Sequence, residues 1–358
     1  MRADFSFTHI AMKIHLLHVF LRTVILATLG AGGGAAIADE ISATHWKAAA
    51  DYSAARRGLS FLVMQHGKVI GENYPGGHSS SEAHKIYSGT KGFWILAALK
   101  AQEEGIISLD ECVCDTISEW RADPLKCKVT LRQLLNFNSG LDAENQLHGD
   151  GFTDRDAIAV RVPLVAQPGR AFIYGPAPLQ VFHEVLKRKL AARHETPTHY
   201  LEQKVLLPLG LGPQRYLADR DGNPLLATGF MLSAREWSRM GQLILRGGSP
   251  VLSENRLGEC FRGTPANEAF GMGFWNNHLA SDPGAREFDV ENMLIPKWSR
   301  QDWRKPCLCR AAPSDLVAAI GSGYQRLFVI PSMDLVVVRQ GVDAAFRDGE
   351  FLRLLLGR

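Results

Sequence analysis

A marked excess of positive or negative charge is what this sequence lacks most clearly. Its 40 lysines and arginines nearly balance its 37 aspartates and glutamates, so the formal net charge of the 358 residues is +3. This balance gives no reason to expect nucleic acid as a partner, because nucleic-acid-binding proteins usually carry a marked basic excess. An internal repeat of about 20–50 residues is also missing, which argues against solenoids and propellers.

Cysteine is scarce as well. Six cysteines in a chain of this length are too few for a disulfide scaffold. The chain does contain 46% hydrophobic and 22% charged residues, which is ordinary for a soluble globular protein. A length of 358 residues fits two domains of ordinary size, or one large domain with an insertion.

The apolar stretch near the N-terminus is too short to span a bilayer. It covers residues 23–31, whereas a membrane-spanning helix needs about 20 apolar residues. Positive charge precedes the stretch, and Ala36 and Ala38 supply the small residues of a cleavage site. We therefore predict that residues 1–38 are a secretory signal peptide and that the mature protein is periplasmic or secreted, with no stable membrane anchor. An uncleaved anchor is the alternative interpretation.

Strand patterns cluster at the two ends of the remaining chain. Residues 59–65 and 68–73 form a predicted hairpin, and residues 327–330 and 335–339 form a second one. Strands that are far apart in sequence satisfy their edges most easily by joining one antiparallel sheet. The two ends of the chain are therefore expected to meet in the same sheet.

The middle of the chain favours helices. Residues 90–101 form a predicted helix with no polar face, so this helix should be buried on all sides. We predict an α/β (α+β) fold in which residues 39–87 and 226–358 form an antiparallel sheet flanked by helices. Residues 88–225 are predicted to be a mainly helical insertion. A cleft between two such parts is the usual place for a small-molecule site.

Two common hydrolase motifs are missing, but one Ser-x-x-Lys motif is present. The sequence contains no G-x-S-x-G and no H-E-x-x-H. Ser88 and Lys91 lie three residues apart at the start of the predicted buried helix, so they should share one helix face. Burial would lower the pKa of the lysine and let it accept the serine proton. An N-cap serine beside a surface lysine is the alternative.

Further segments follow this pair in a fixed order. They read VTLRQLLNFNSGLD at residues 129–142, QPGRAFIYG at residues 167–175 and GSGYQRLFVIPSMDLVVVRQG at residues 321–341. Together with IYSGTKGF at residues 86–93, they resemble the penicillin-recognising serine hydrolases. The resemblance is to the branch of class C β-lactamases, DD-peptidases and β-lactamase-like esterases, and it implies their fold and a catalytic role for Ser88 and Lys91.

The resemblance also implies a second element, Tyr-x-Asn, with one departure here. Tyr174 matches the tyrosine that works with the lysine as general base and acid, and a nearby lysine would favour its phenolate form. Pro176 stands where the family has the asparagine that holds the substrate amide. Amide recognition of the usual type is therefore in doubt.

The third element of the family, Lys/His-Thr/Ser-Gly, is matched by Gly321, Ser322 and Gly323. Gly321 replaces the basic residue that binds the substrate carboxylate in β-lactamases and DD-peptidases. The resemblance implies substrate contacts from these three residues. It also implies an oxyanion hole formed by the N–H groups of Ser88 and Tyr324.

These features predict a serine hydrolase that acts through an acyl-enzyme on small esters or amides, with no cofactor. A β-lactamase or DD-peptidase is one alternative, in which another residue such as Arg326 would bind the substrate carboxylate. A catalytically silent binding module on the same fold is the other alternative. We also considered whether three tryptophans line the acyl pocket or simply pack: Trp275, Trp298 and Trp303.

Cysteine pairing is expected in an oxidising compartment. The favoured pairs are Cys127 with Cys112 or Cys114, and Cys260 with Cys307 or Cys309. We expect no metal, although zinc held by the two Cys-x-Cys pairs is an alternative.

One helix carries a run of basic residues, which we interpret as a solvated face. The run consists of Lys187, Arg188, Lys189 and Arg193. His183 on the same predicted helix has no carboxylate at a telling spacing, and we expect it to be structural.

Overall fold

The computed structural model describes residues 40–342 and 344–358, and these residues belong to one compact unit. The predicted signal peptide lies outside the described residues. Within the described part of the chain, no helix has the length and apolar character needed to cross a membrane.

Strands from both ends of the chain form the main sheet, as predicted. The strands of the described residues are β1 (Gly58–Gln65), β2 (Lys68–Asn73), β3 (His84–Lys85), β4 (Met231–Leu232), β5 (Phe270–Gly271), β6 (Phe274–Asn276), β7 (Arg286–Glu287), β8 (Pro306–Cys307), β9 (Val317–Gly321), β10 (Gln325–Ile330) and β11 (Leu335–Gly341). Seven of them make a sheet in the order β2-β1-β11-β10-β9-β6-β5, with antiparallel pairing throughout. The predicted fold class is confirmed.

Helices fill the middle of the chain and cover the sheet. The described helices are α1 (Ala43–Ala54), α2 (Thr90–Glu103), α3 (Val113–Thr116), α4 (Leu131–Leu135), α5 (Arg155–Arg161), α6 (Ala177–Ala191), α7 (Pro197–Leu201), α8 (Ala234–Leu245), α9 (Glu254–Leu257), α10 (Val290–Leu294) and α11 (Asp348–Leu356). Residues 88–225 contain α2 to α7 and, among the described residues, contribute no strand to the sheet.

Both predicted hairpins are present, and local chemistry explains their turns. His66 and Gly67 join β1 to β2 in left-handed conformations, with φ of 51° and 70°. Asp334 ends the turn between β10 and β11 with φ of 46°. β1 then pairs with β11, which brings strands from the two ends of the chain together between β2 and β10.

Opposite faces of the sheet are covered by helices from different parts of the chain. Phe351 of α11 packs against Phe61 and Phe328 on one face. On the other face, α8 approaches so closely that a Cβ on Gly241 would lie 2.5 Å from Val336. This close contact requires glycine. The predicted apolar helix, α2, is buried along nearly its whole length, which positions the residues at its start rigidly.

The basic residues on and just after α6 have side chains that are 30–50% exposed, so they form a solvated face as expected, and this face also carries ion pairs. Lys187 Nζ lies 3.0 Å from Asp156 Oδ2, and Arg188 and Lys189 pair with Glu119 and Glu111. These long side chains tie α6 to the elements around it. Glu119 and Glu111 are remote in sequence, whereas Glu184 on the same helix also pairs with Lys187 and Arg188.

His183 has a carboxylate partner that its sequence neighbourhood did not indicate. Its Nδ1 lies 2.6 Å from Asp156 Oδ2, and both side chains are buried. The pair joins α5, which carries Asp156, to α6, which carries His183. Gln180 of α6 also donates a hydrogen bond to Asp156. This arrangement is consistent with the structural role that we expected.

One of the two expected disulfides is present. Cys114 is bonded to Cys127, which confirms the first pairing. Cys112, the other cysteine of the first Cys-x-Cys pair, is a free thiol. Cys260, Cys307 and Cys309 are unpaired thiols in the structure, so the second pairing is wrong. Cys260 belongs to the main core, whereas Cys307 lies in a separate small cluster.

Loss of this disulfide is expected to destabilise the protein measurably. The bond closes a loop with a sequence separation of 13 residues, and loops of that size contribute about 3 kcal/mol through the entropy of the unfolded chain. We expect Cys114→Ser with Cys127→Ser to lower the free energy of unfolding by about 2–3 kcal/mol in denaturant titrations. Cys112→Ser, beside the bond, is the control. Equal stability of the double variant and its parent would mean that the bond contributes nothing.

Candidate active site

Ser88 lies on a short 3₁₀ turn, Tyr87–Gly89, that leads directly into α2. Tyr87 has a φ of 46°, a left-handed conformation that is uncommon for a residue other than glycine. Such strained residues often occur next to functional side chains. The turn projects Ser88 into a cavity, where it is partly exposed.

Lys91 lies beside Ser88, as the spacing predicted. Its Nζ donates to Ser88 Oγ at 2.7 Å and to the carbonyl oxygen of Ala227 at 2.9 Å. The side chain is only 2% exposed. Burial lowers the pKa of Lys91 from 10.5 to about 7, because an ammonium group loses its hydration there. A lysine with this pKa is partly neutral near pH 7 and can accept a proton from Ser88.

Two glycines allow α2 to pack closely enough for this burial. A Cβ on Gly89 would lie 2.6 Å from the ring of Trp237, and one on Gly92 would lie 3.0 Å from Phe274. The tight packing excludes water from the side of the helix that carries Lys91. It explains why the motif reads Ser-Gly-Thr-Lys-Gly.

Tyr174 completes the group, but in a protonation state that the sequence did not predict. Lys91 Nζ lies 4.7 Å from the centre of the Tyr174 ring. Burial raises the pKa of Tyr174 well above its usual value of 10, although a hydrogen bond with Ser88 opposes this shift. The expectation that Lys91 would favour a phenolate is therefore wrong, because desolvation disfavours the charged form of both groups.

The opposite pKa shifts suggest separate roles for the two groups. Lys91 can be neutral near pH 7 and can accept a proton, while Tyr174 remains a protonated phenol and can donate one. Pairs of titratable groups whose environments separate their pKa values commonly mark acid and base assignments.

The turn between β9 and β10 brings the predicted third element next to Ser88. Gly321 ends β9, and a Cβ there would lie 2.0 Å from the carbonyl oxygen of Ile86, two residues before Ser88. No side chain fits this position with the present backbone. The packing around Gly321 therefore excludes the basic residue that the family has at this position. Ser322 lines the cavity together with Ser88.

Tyr324 does not offer the free N–H group that an oxyanion hole requires. Its N–H donates to Glu291 Oε1 at 3.0 Å, and its φ is 60°. The predicted role of Tyr324 therefore lacks support in this arrangement. Glu291 belongs to α10, and no sequence motif around it indicated a contact with Tyr324.

Arg326 cannot serve as a replacement carboxylate-binding residue. It is fully buried and bonds Asp348 through Nε at 2.6 Å and Glu291 through Nη2 at 2.5 Å. These two carboxylates already occupy the guanidinium group. The alternative role that we considered for Arg326 is therefore wrong.

Pro176 precedes α6 with a φ of −74°. Proline suits a helix start because its missing N–H would have no partner there. It supplies no side-chain hydrogen bond, so the substrate contact made by the family's asparagine has no equivalent at this position.

A cavity of about 950 Å³ opens above Ser88 and Tyr174. A second cavity of about 700 Å³ also contacts Ser88, Tyr174 and Ser322, and Glu291 lies on its lining. The acyl part and the leaving group of a substrate could therefore occupy separate cavities beside the Ser88 hydroxyl group. Each cavity is large enough for a small molecule.

The three tryptophans divide between the two expected roles. Trp298 lines the larger cavity. Trp275 is buried, and Trp303 packs against it with ring centroids 5.6 Å apart. Only Trp298 is therefore placed to touch a substrate in this cavity.

Sequence reasoning missed several polar residues of the larger cavity. They are Lys85, Asp142, Asn145, His148, Arg215, Lys297 and Gln301. Lys85 precedes Ser88 by three residues and could have been considered for that reason. The others come from loops and from the short 3₁₀ helix Asn145–His148, whose placement depends on the tertiary fold.

The Beta-lactamase family model matches residues 38–338. The chain belongs to this beta-lactamase family, whose members are typically serine hydrolases. Sequence comparison with curated proteins finds no match.

Solved structures with the same fold have different activities in their descriptions. "EstCE1, a hydrolase with promiscuous acyltransferase activity" has a TM-score of 0.64 at 17% identity, covering 88% of this chain and 98% of that chain. A D-stereospecific amidohydrolase from Streptomyces sp. has a TM-score of 0.60 at 15% identity, covering 86% and 98%. A class C beta-lactamase from Rhodobacter sphaeroides has a TM-score of 0.60 at 16% identity, covering 87% and 97%. Similarity at these identities establishes the fold alone.

Proposed function

We propose that this protein is a serine hydrolase that cleaves small esters or amides through a covalent acyl-enzyme. The observation that carries the proposal is the 2.7 Å contact between Lys91 Nζ and Ser88 Oγ at a cavity wall. A buried lysine with a pKa of about 7 has the properties of a general base for this serine. A protein that only binds a ligand has no need of this arrangement.

The reaction has two steps. Ser88 Oγ attacks the carbonyl carbon as Lys91 takes the hydroxyl proton, and Tyr174 delivers a proton to the leaving group as the bond to it breaks. Tyr174 is restored by the proton that Lys91 received. Water then attacks the ester carbon of the acyl-enzyme and loses a proton to Lys91. The acid is released, and the proton returns to Ser88 Oγ.

The oxyanion of both steps needs two hydrogen-bond donors. The N–H of Ser88 is the first donor that we assign. The second has to come from the turn at residues 321–324, next to Ser88. The Tyr324 N–H can contribute only after Glu291 has moved away from it.

Esters and small amides are favoured over β-lactams and peptidoglycan peptides. The position of the family's carboxylate-binding residue is Gly321, where a Cβ would meet Ile86. Arg326 is held by Asp348 and Glu291. The family's amide-holding asparagine is replaced by Pro176. The replacements at residues 321 and 176 each remove an interaction used for β-lactam and peptide substrates, and Arg326 does not restore one.

Hydrolysis of a p-nitrophenyl ester and of a chromogenic cephalosporin separates the two enzyme functions. We expect kcat/KM to be larger for the ester, after correction for spontaneous hydrolysis. A larger value for the cephalosporin would support the β-lactamase alternative. Hydrolysis of neither compound, nor of the corresponding p-nitroanilides, would support a binding module.

The rate is expected to depend on the protonation of Lys91. Only the neutral amine can accept the serine proton, and burial places the pKa of Lys91 at about 7. We therefore expect kcat/KM for an ester to rise with pH, with a midpoint near 7, and to level off above it. The Tyr174 phenol stays protonated across this range because burial raises its pKa. A profile that falls between pH 6 and about 8 would contradict the assignment of Lys91 as base.

A further inference from the structure

The lining of the larger cavity contains three cationic side chains. Lys85, Arg215 and Lys297 lie on it, together with one carboxylate, Asp142. Three positive charges and one negative charge leave a formal excess of two positive charges. The whole chain, by comparison, is nearly neutral, with a formal charge of +3 over 358 residues. Positive charge is therefore concentrated around Ser88.

These three cations are not used for internal ion pairs. Among the described residues, none of them forms a salt bridge, and none has an interaction that would occupy its charge. Several other exposed cations on this protein do form ion pairs, for example Arg235 with Glu72 at 2.7 Å. Unpaired cations that share one cavity are suited to an anionic ligand.

Two of the cations come from neighbouring backbone segments. Lys85 of β3 pairs with Met231 of β4. Gly229, two residues before Met231, lies close to the backbone of Arg215. A Cβ placed on Gly229 would be 3.6 Å from the carbonyl oxygen of Arg215. The two charges are thus presented by one wall of the cavity, while Lys297 comes from the segment that follows α10.

The same cavity has apolar surface between its charges. Leu217, Leu294 and Trp298 lie on its lining, and Ile295 is 79% exposed beside them. A substrate with an apolar chain and a charged end would match both kinds of surface. A purely polar ligand would leave these side chains without contacts.

We propose that the Ser88 cavity selects substrates that carry a carboxylate on an apolar chain, bound by Lys85, Arg215 and Lys297. This inference rests on the proposed esterase or amidase function and names its substrate class. The cations occupy the cavity rim, so they can bind the carboxylate of an elongated substrate. Gly321, the family position for this task, cannot carry a side chain here.

The test uses two pairs of esters that differ only in a negative charge. Mono-p-nitrophenyl adipate and its methyl ester place the carboxylate on the acyl side. 4-Acetoxybenzoate and its methyl ester place it on the leaving group. Rates are divided by the spontaneous hydrolysis rate of each compound. At low ionic strength we expect the anion in at least one pair to have a kcat/KM about tenfold higher, a ratio in keeping with several exposed ion pairs.

Variants connect this preference with the cations. The triple variant Lys85→Met, Arg215→Met, Lys297→Met keeps much of the aliphatic surface, and we expect its ratio to fall to about one. About 0.5 M salt should also reduce the ratio of the parent protein. Lys68→Met removes an exposed charge of β2 that does not line the cavity, and this control should leave the ratio unchanged.

The outcomes separate this inference from the function on which it rests. Ratios near one in both pairs, with hydrolysis that Ser88→Ala abolishes, would overturn the inference and leave the hydrolase function intact. A preference that survives in the triple variant would also overturn it. No Ser88-dependent hydrolysis of any of the four esters, nor of the corresponding p-nitroanilides, would overturn the hydrolase function itself.

Discussion

Ser88→Ala is expected to lower kcat for a p-nitrophenyl ester by roughly 10³-fold or more. The substitution removes the oxygen that forms the acyl-enzyme, while the cavity and the neighbouring groups remain. Ser88 Oγ accepts one hydrogen bond from the buried Lys91 at 2.7 Å, and the fold should tolerate its loss. Stopped-flow or steady-state release of nitrophenolate measures the effect.

A matched substitution checks that this loss is specific. Ser81→Ala changes an exposed serine of the loop before β3, and we expect it to keep the parental rate. Thermal unfolding of both variants shows whether they are folded. A folded Ser88→Ala protein with parental activity would mean that Ser88 is not the nucleophile.

Lys91→Met is expected to have the second largest effect, a loss of about 10²–10⁴-fold in kcat/KM. Methionine has a similar length and suits a buried position, but it cannot accept the proton of Ser88. The acidic limb of the pH profile near 7 should disappear together with the activity, because the pKa of about 7 belongs to Lys91. Measuring kcat/KM across pH 5–9 tests both expectations.

Lys100 provides the control for this variant. It lies on the same helix, α2, and is paired with Glu103 at 3.5 Å. Lys100→Met removes one lysine from that helix without touching the cavity, so activity and pH profile should be retained. A folded Lys91→Met protein that keeps the pH midpoint near 7 would show that another group is the base.

The strand and helix pattern at the two ends of the chain could be predicted from the sequence. Residues 59–73 and 327–339 alternate between apolar runs and strong turn residues, and their pairing follows because each needs partners for its edges. The apolar helix predicted over residues 90–101 corresponds to α2, Thr90–Glu103. Such local patterns are set by neighbours in sequence.

Several contacts of charged side chains depend on partners that are distant in sequence. Asp156 reaches His183 and Lys187, and Glu291 reaches Tyr324 and Arg326. No local pattern indicates these distances. They explain why the ion pairs of the basic run with Asp156, Glu119 and Glu111, and the buried ion pairs of Arg326, could not be predicted from the sequence.

The protonation state of Tyr174 illustrates the same limit at the site itself. Its proximity to a lysine suggested a phenolate, but burial has the larger effect on its pKa. Burial depends on how β5, β6 and the aromatic residues around them pack, for example Phe137 at 4.8 Å from the Tyr174 ring. Ser88, Lys91 and Tyr174 could be selected from the sequence, whereas the opposite directions of the Lys91 and Tyr174 pKa shifts depend on the structure.

Intact-protein mass spectrometry after treatment with a fluorophosphonate tests the central claim most directly. The account predicts a single covalent adduct, located on Ser88 by peptide mapping, in the parent protein and in Ser81→Ala. Ser88→Ala should remain unmodified. An adduct on a different residue, or none on a folded protein that hydrolyses esters, would contradict the assignment of Ser88 as the nucleophile.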